Sequence, residues 1–380
     1  MVLPERSIRS PIASDLEDRK MIFLGGPRQV GKTTLAQSFL KGSPEDHPGY
    51  LSWDYPLDRG RILQSELPEN EPLMVFDEIH KYTPWRTLLK GLYDKRKTRT
   101  QFIVTGSARL DHYAKGGDSL LGRYRYYRLH PYSLLELNKN PNQRDVTHLL
   151  TFGGFPEPLS KGSEKNLRRW HQERLYRLIQ DDVRDLETVK DLSVMELLAH
   201  TMGSKVGSPL SVKGLGTDLQ RSFATVERWI QILERMYYCF RIPPFGAPKI
   251  KAVKKEQKLY LWDWSELKDP GARFENMVAC QLLKYCHFLT DTEGYKMELR
   301  FVRDFEKREA DFVVIQEGKP LFVVEAKTGE KAASPALSYF RERTNIPRFY
   351  QVHLGERDTG NAEHGTRVLP FHIFCKDLGL

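Results

Sequence analysis

The stretch GGPRQVGKTT at residues 25–34 restricts the fold of this chain more than any other. Gly26, Gly31, Lys32 and Thr33 fit the pattern GxxxxGK[ST], whose glycines let successive backbone N–H groups turn toward phosphate oxygens with no Cβ in the way. In this pattern Lys32 neutralises the β- and γ-phosphates of a nucleotide, and the hydroxyl of Thr33 ligates magnesium. Such a loop joins a buried strand to a helix N-terminus, where the helix dipole favours negative charge. The flanks meet that demand: KMIFLGG is a short apolar run ending in glycines, and KTTLAQSFLKG reads as a helix closed by Gly42. The expected cradle is Gly26, Pro27, Arg28, Gln29, Val30, Gly31, Lys32, Thr33 and Thr34, holding ATP with Mg2+.

The next hundred residues supply strands to set beside the first. PLMVFDE (72–78) and TQFIVTGS (100–107) are apolar runs, and the segment between them is helical from about Trp85. Strands alternating with helices predict a parallel sheet covered on both faces. RYRYYRLHPYSLLEL adds an aromatic strand before a helix start, and NKNPNQRD (138–145) has the composition of a boundary loop. Asp77 and Glu78 end an apolar strand, where the first carboxylate can hold magnesium and the second can orient or deprotonate the attacking water. Thr105 and Ser107 follow the next strand and are placed to sense the terminal phosphate. Arg123, in LLGRYR, is the candidate for bridging transition-state charge in a neighbouring subunit of a homo-oligomer. Arg109 competes for that role, and either arginine can instead belong only to the basic surface.

With 380 residues the chain is too long for one ordinary core. Three domains are expected, at 1–145, 146–245 and 246–380. In the middle one, Leu167, Trp170, Leu175, Leu178, Ile179, Val183 and Leu186 recur at three- and four-residue intervals and predict one long amphipathic helix. SPLSVKGLGTDLQRSFATVERWIQILERMYYCFRIPPF (208–245) then reads as a helix, a turn at RSFA, an amphipathic helix and an aromatic strand. That is the order of a winged helix-turn-helix, and equally of a helical packing module that touches no nucleic acid. A basic connector, APKIKAVKKEQK, leads to a strand in LYLWDWSE, a helix in GARFENMVACQLLKYC, and strands at MELRFVRD, ADFVVIQ, PLFVVEAK and RFYQVHL. The last domain is thus a second α/β unit.

Charge narrows the choice of partners. The net charge is +9, and residues 83–145 hold 13 Lys/Arg against 5 Asp/Glu. Such a field attracts a polyanion, DNA above all, by releasing its condensed counterions, although a solvated helix face has the same composition. No run of eighteen apolar residues exists and the first twenty residues lack an apolar leader with a cleavage site, so no membrane partner and a cytoplasmic location are expected. Cys239, Cys280, Cys286 and Cys375 sit outside any CxxC or Cys/His ligand spacing, and reduced thiols are expected.

A second chemical cluster lies near the far end. Glu325 and Lys327 are one residue apart on a strand and share a face, while Asp311 heads the preceding strand. Glu275, on the earlier helix, adds a third carboxylate, and Gln351 on the following strand is placed to assist. Carboxylates so spaced can hold Mg2+ or Mn2+ against a scissile phosphate while the lysine stabilises charge. The same spacing also arises as an exposed cross-strand ion pair worth ~0–1 kcal/mol. Yet the strand is otherwise apolar, and charges buried beside Phe322 and Val323 are costly without a ligand.

Together these motifs resemble the AAA+ ATPases, and among them a prokaryotic family with an N-terminal P-loop domain and a C-terminal region of unknown function, DUF4143. The likeness runs in order through GGPRQVGKTTL, YLSWDYPLDRGRIL, LMVFDEIHK, VTGSARL, LLGRYRYYRLHPYSLLE, FGGFPEP, LIQDDVRDL, FATVERWIQILE, ARFENMV and READFVV, nearly the whole chain. The order Glu275 on a helix, Asp311, then Glu325-x-Lys327 resembles the PD-(D/E)xK nuclease superfamily, which implies a restriction-endonuclease-like α/β core. The resemblance implies an ATP-hydrolysing protein that acts on DNA. Asp311, Glu325 and Lys327 would catalyse metal-dependent cleavage in its terminal domain. The alternative it leaves is a nucleotide-dependent switch that binds DNA or protein through an inactive nuclease-like domain.

Overall fold

The apolar run Met21–Gly25 becomes strand β1 with all five residues buried, as a strand covered on both faces must be. The computed structural model describes residues 4–43, 46–106, 120, 122–183, 191–246 and 256–379. Its first compact unit, Glu5–His130, is built around β1. Strands β2 (Tyr50–Ser52), β3 (Leu73–Asp77), β4 (Gln101–Thr105) and β5 (Tyr124–Arg128) join it, all parallel, in the order β2-β3-β4-β1-β5. From β1 the chain runs out to the edge, walks back through β3 and β4, and crosses to the far side of β1 for β5. The carboxyl end of β1 therefore lies where the strand order reverses, the place where open α/β sheets bind ligands. Leu24 pairs there with Thr105, and Gly25 with Arg128. The helix Trp85–Arg96 covers the sheet with Trp85, Leu89 and Tyr93, one side chain per turn, packed against Phe23, Phe76 and Phe102.

The helix expected from Lys32 to Gly42 stops at Gln37. The Ser38 hydroxyl donates to the Leu35 carbonyl at 2.7 Å, and the amides of Phe39 and Leu40 reach back three residues instead of four. A side chain that competes for the backbone and a tightened last turn end the helix early.

The second unit is Pro131–Leu380 with Met1–Pro4. Its helix Glu164–Arg177 buries Leu167, Trp170 and Leu175 as the spacing predicts. At Leu178 the hydrogen bonding changes to the π pattern, which runs to Val183, so the single long α-helix is not formed; Leu186 lies outside the described residues. The helices Val212–Asp218 and Phe223–Arg235 begin at Ser211 and Ser222, whose hydroxyls accept from the amides of Gly214 and Thr225. Gly216 lets the connecting turn pass, since a Cβ there would lie 2.9 Å from the Arg221 carbonyl oxygen. β6 (Cys239–Ile242) follows and pairs antiparallel with β7 (Lys258–Leu261). The strand in LYLW is thus hydrogen-bonded to the strand that closes the middle segment. Arg241 fastens β6 to the second helix by holding Glu227 and Glu234 at 2.8 to 3.0 Å.

The remaining chain forms a mixed sheet of order β12-β11-β10-β9-β8, from β8 (Met297–Arg303), β9 (Glu309–Gln316), β10 (Lys319–Lys327), β11 (Phe349–His353) and β12 (Arg367–Pro370). β9 runs antiparallel to both of its neighbours, β8 and β10, whereas β11 and β12 run parallel to β10. The helix Pro270–Glu293 packs on this sheet. β12 and the helix Phe371–Leu378 had no counterpart in the sequence reading, because RVLP is too short to display a period. Val323 pairs with Val313 and Val324 with Phe312. One further step of that register sets Glu325 opposite Asp311.

Candidate functional site

After β1 the backbone turns through three residues with positive φ: Gly26 at 138°, Gln29 at 62° and Gly31 at 97°. A Cβ on Gly26 would sit 2.4 Å from the Leu129 carbonyl oxygen, just past β5, so space as well as conformation demands glycine there. Gly26→Ala should therefore cost about 1–3 kcal/mol of stability and weaken nucleotide binding at the same time. A thermal melt and a titration with a fluorescent ATP analogue read the two effects, and no change in either would show that the loop yields to a methyl group.

Lys32 is only 7% exposed, and its ammonium donates to the carbonyls of Gly26 and Pro27 at 3.0 and 2.8 Å. It lies curled over the loop, where the charge of an anion belongs. The helix it opens has six residues, so its dipole is small, and the loop amides and the ammonium carry most of the attraction. Pro27 and Val30 are buried, Gln29 and Thr33 half-buried, and Arg28 and Thr34 exposed. Buried Arg6 donates to the carbonyls of Val30 and His130, a brace on the loop that belongs to no motif.

Across from the loop, Asp77 gathers three hydroxyls. Thr33 and Tyr50 donate to its Oδ2 at 2.9 and 2.8 Å, and Thr105 donates to its Oδ1. Thr33, Asp77 and Thr105 are thus brought together as the motifs predict. Tyr50 was missed, although its place at the head of YLSWD, on the strand that pairs with the Asp77 strand, is the signal that exposes it. Burial first, and then the Asp77 charge, raise the pKa of Tyr50, so it stays a donor. An alcohol and a carboxylate already side by side are the hard oxygens Mg2+ prefers, and the residues fit that ion. When bound it would neutralise charge on the phosphates.

Glu78 adopts φ 55°, a left-handed backbone unusual for a residue with a side chain. Its Oε2 lies 3.6 Å from Nε2 of buried His80. Desolvation raises the pKa of Glu78, Lys32 opposes the rise and Asp77 adds to it. A carboxylate raised in this way, beside a phosphate cradle, is suited to accept a proton.

Arg123 is not brought to this site. It precedes β5, whose other end meets Gly25, about 16 Å away along the strand. Its guanidinium instead holds Asp94 at 2.9 and 3.2 Å. Ser107 and Arg109 lie outside the described residues.

In the second unit Glu275, Asp311, Glu325 and Lys327 converge, together with two residues the sequence reading passed over. Lys258 ends the basic connector APKIKAVKKEQK and Glu309 stands just ahead of the strand ADFVVIQ, yet the Lys258 side chain is wholly buried. Its ammonium lies 2.6 Å from Glu309, 3.3 Å from Asp311 and 3.4 Å from Glu275. Burial works against the Lys258 charge, but Asp311, Glu275 and Glu309 outweigh it and raise its pKa. Glu275 and Glu325 are each pushed up to about 7, by desolvation first and then by Asp311. Lys327 pairs with Glu325 at 2.6 Å. Gln351 does not assist here: its amide accepts from the Ser334 amide and donates to the carbonyls of Lys331 and Ala332, holding the loop after β10. Among the described residues no three His, Cys, Asp or Glu side chains are grouped so as to hold a metal ion. Of the residues expected as metal ligands, Glu275 and Asp311 lie against the Lys258 ammonium and Glu325 pairs with Lys327.

Residues 18–138 match the family described as AAA domain, residues 143–267 a domain of unknown function, DUF8612, and residues 270–374 the domain of unknown function DUF4143. An uncharacterized protein of Mycobacterium tuberculosis is 22% identical over 69% of this chain, and the chain spans 58% of that relative's length. An uncharacterized protein of Methanocaldococcus jannaschii is 25% identical over 84% of this chain and 78% of its own length. The DNA-bound ORC1 protein of Aeropyrum pernix aligns with 73% of this chain and 93% of its own at 15% identity, with a TM-score of 0.34, too slight a likeness to bear on fold or function. No helix among the described residues is long and apolar enough to cross a membrane.

Proposed function

For a chain that carries an AAA domain at residues 18–138 and a DUF4143 region at residues 270–374, we propose ATP binding and hydrolysis at the 26–34 loop, coupled to an action on DNA. The observation that carries this reading is the gathering of Lys32, Thr33, Asp77 and Glu78 at the carboxyl end of the first sheet. Lys32 would leave the Gly26 and Pro27 carbonyls for the β- and γ-phosphates. Asp77 and Thr33 would hold Mg2+. Glu78 would take a proton from the water that attacks the γ-phosphorus, while the bond to the bridging oxygen breaks and ADP leaves. In a homo-oligomer Arg123 would act on a neighbour's site, and Ser107 would contact the γ-phosphate.

The DNA arm rests on the basic excess of residues 83–145 and on the winged-helix order of the middle segment. The division expected at 1–145, 146–245 and 246–380 would separate nucleotide, nucleic-acid and nuclease-like parts, with β6 and β7 pairing across the last boundary. Anisotropy of a labelled duplex tests this arm. Affinity should fall steeply and linearly on a log–log plot as salt rises. Absent or salt-independent binding would remove DNA from the reading and leave a protein partner.

A second reading, metal-dependent deoxyribonuclease activity at Asp311, Glu325 and Lys327 with Mg2+ or Mn2+, is favoured by the convergence of those three side chains. The presence of Lys258 among the carboxylates favours instead a switch with a catalytically inactive nuclease-like domain, and that is the form we adopt.

A further inference from the structure

We infer that Lys258 is the resident cation of the carboxyl-terminal acidic cluster, and that the cluster so filled takes no divalent metal ion. This rests on the nuclease-like reading of that domain and is independent of the nucleotide site.

Glu309 gives one oxygen to Lys258 and the other to Arg303. Asp311 faces Lys258 with Oδ1 and accepts the Ala326 amide on Oδ2 at 2.9 Å. Glu325 spends Oε1 on Lys327 and accepts the Asp311 amide on Oε2. Glu275 shares Oε1 between Lys258 and the Tyr260 hydroxyl, which donates at 2.8 Å. Every one of these carboxylate oxygens except Glu275 Oε2 already has a donor, so few of the positions a metal would draw on are left to it. An ion bound to Glu275 Oε1 and Asp311 Oδ1 would also lie within a few ångströms of the ammonium that shares those atoms, and like charges at that separation repel strongly in a buried site.

Lys258 is fully buried and its backbone is held, so its ammonium has little open space to move into. Its backbone pairs with Ile242 on one side and bridges to Pro209 on the other. The chain beside it presses on the cluster, for a Cβ on Gly207 would sit 2.9 Å from Glu275 Oε1. The Phe301 ring lies 5.6 Å from the ammonium and closes a further side.

Mn2+ titration of the full chain, followed by electron paramagnetic resonance without nucleotide, tests this. An Asp77→Asn background silences the nucleotide site in every arm. The background chain should show no Mn2+ binding that depends on Asp311. Adding Lys258→Ala should create one site with affinity at least about tenfold above the background, abolished again by Asp311→Asn. A folded Lys258→Ala chain that gains no site overturns the inference. If that variant does not fold, the background chain alone decides: Mn2+ binding that is lost on Asp311→Asn overturns the inference, and its absence upholds it. Retained ATP binding by the chain with native Asp77 keeps either outcome separate from the nucleotide reading.

Discussion

Lys32→Ala is expected to weaken ATP binding by at least about a hundredfold. The ammonium is buried, and in the free protein it satisfies the carbonyls of Gly26 and Pro27. Alanine would remove the cation that the loop motif assigns to the terminal phosphates and leave those carbonyls without that donor. Charge-assisted hydrogen bonds each contribute about 1.5–3 kcal/mol, so two of them correspond to a loss of about a hundredfold to ten-thousandfold in affinity. Isothermal titration calorimetry reads this directly. A dissociation constant within a few fold of the native one would mean that the loop is not the nucleotide site. Salt-dependent DNA affinity should survive the substitution if the two functions sit on separate surfaces.

Glu78→Gln should leave ATP affinity near its native value and cut turnover by about 10²- to 10⁴-fold, the range that general-base catalysis contributes. The amide has the same shape but accepts no proton. The raised pKa of Glu78 also fixes the sign of two pH effects. Turnover of the native chain should fall on acidification at a pH above that of an ordinary carboxylate, since the ionised form is the active one. Stability runs the other way. A carboxyl whose pKa is higher folded than unfolded binds more protons in the fold, so its contribution declines as pH rises through the shifted range. Glutamine removes that cost, and the variant should melt slightly above the native chain at neutral pH. Native turnover in the variant would assign the water to another group, while a large loss of affinity would place Glu78 in binding instead of catalysis.

Much of the first unit is written locally. A strand, a glycine loop and a helix are adjacent in the chain, so Gly26, Lys32 and Thr33 could be placed by spacing alone, and LMVFDE announced its strand end in the same way. The residues that complete the site come from farther off. Tyr50 reaches Asp77 because β2 pairs with β3 in one register, and Arg6 reaches the loop from the N-terminal segment. Neither contact leaves a periodic trace. Arg123, expected to serve a neighbouring subunit, lies within its own chain at the other end of β5, on Asp94, a placement that strand direction decides.

The carboxyl-terminal cluster divides along the same line. Alternation on β9 and β10 was enough to put Asp311 beside Glu325 and Lys327, because a strand fixes which side chains share a face. Nothing local says what fills the space between them. Lys258 looked like one more basic residue in a run of them, and only the pairing of β7 with β6 carries its ammonium among Glu275, Glu309 and Asp311. The sequence by itself determined which chemistry each element brings, since motif spacing and periodicity act over a few residues. Only the tertiary structure decided which charges meet, because the energy of a buried ion depends on partners that strand order and register deliver from distant parts of the chain.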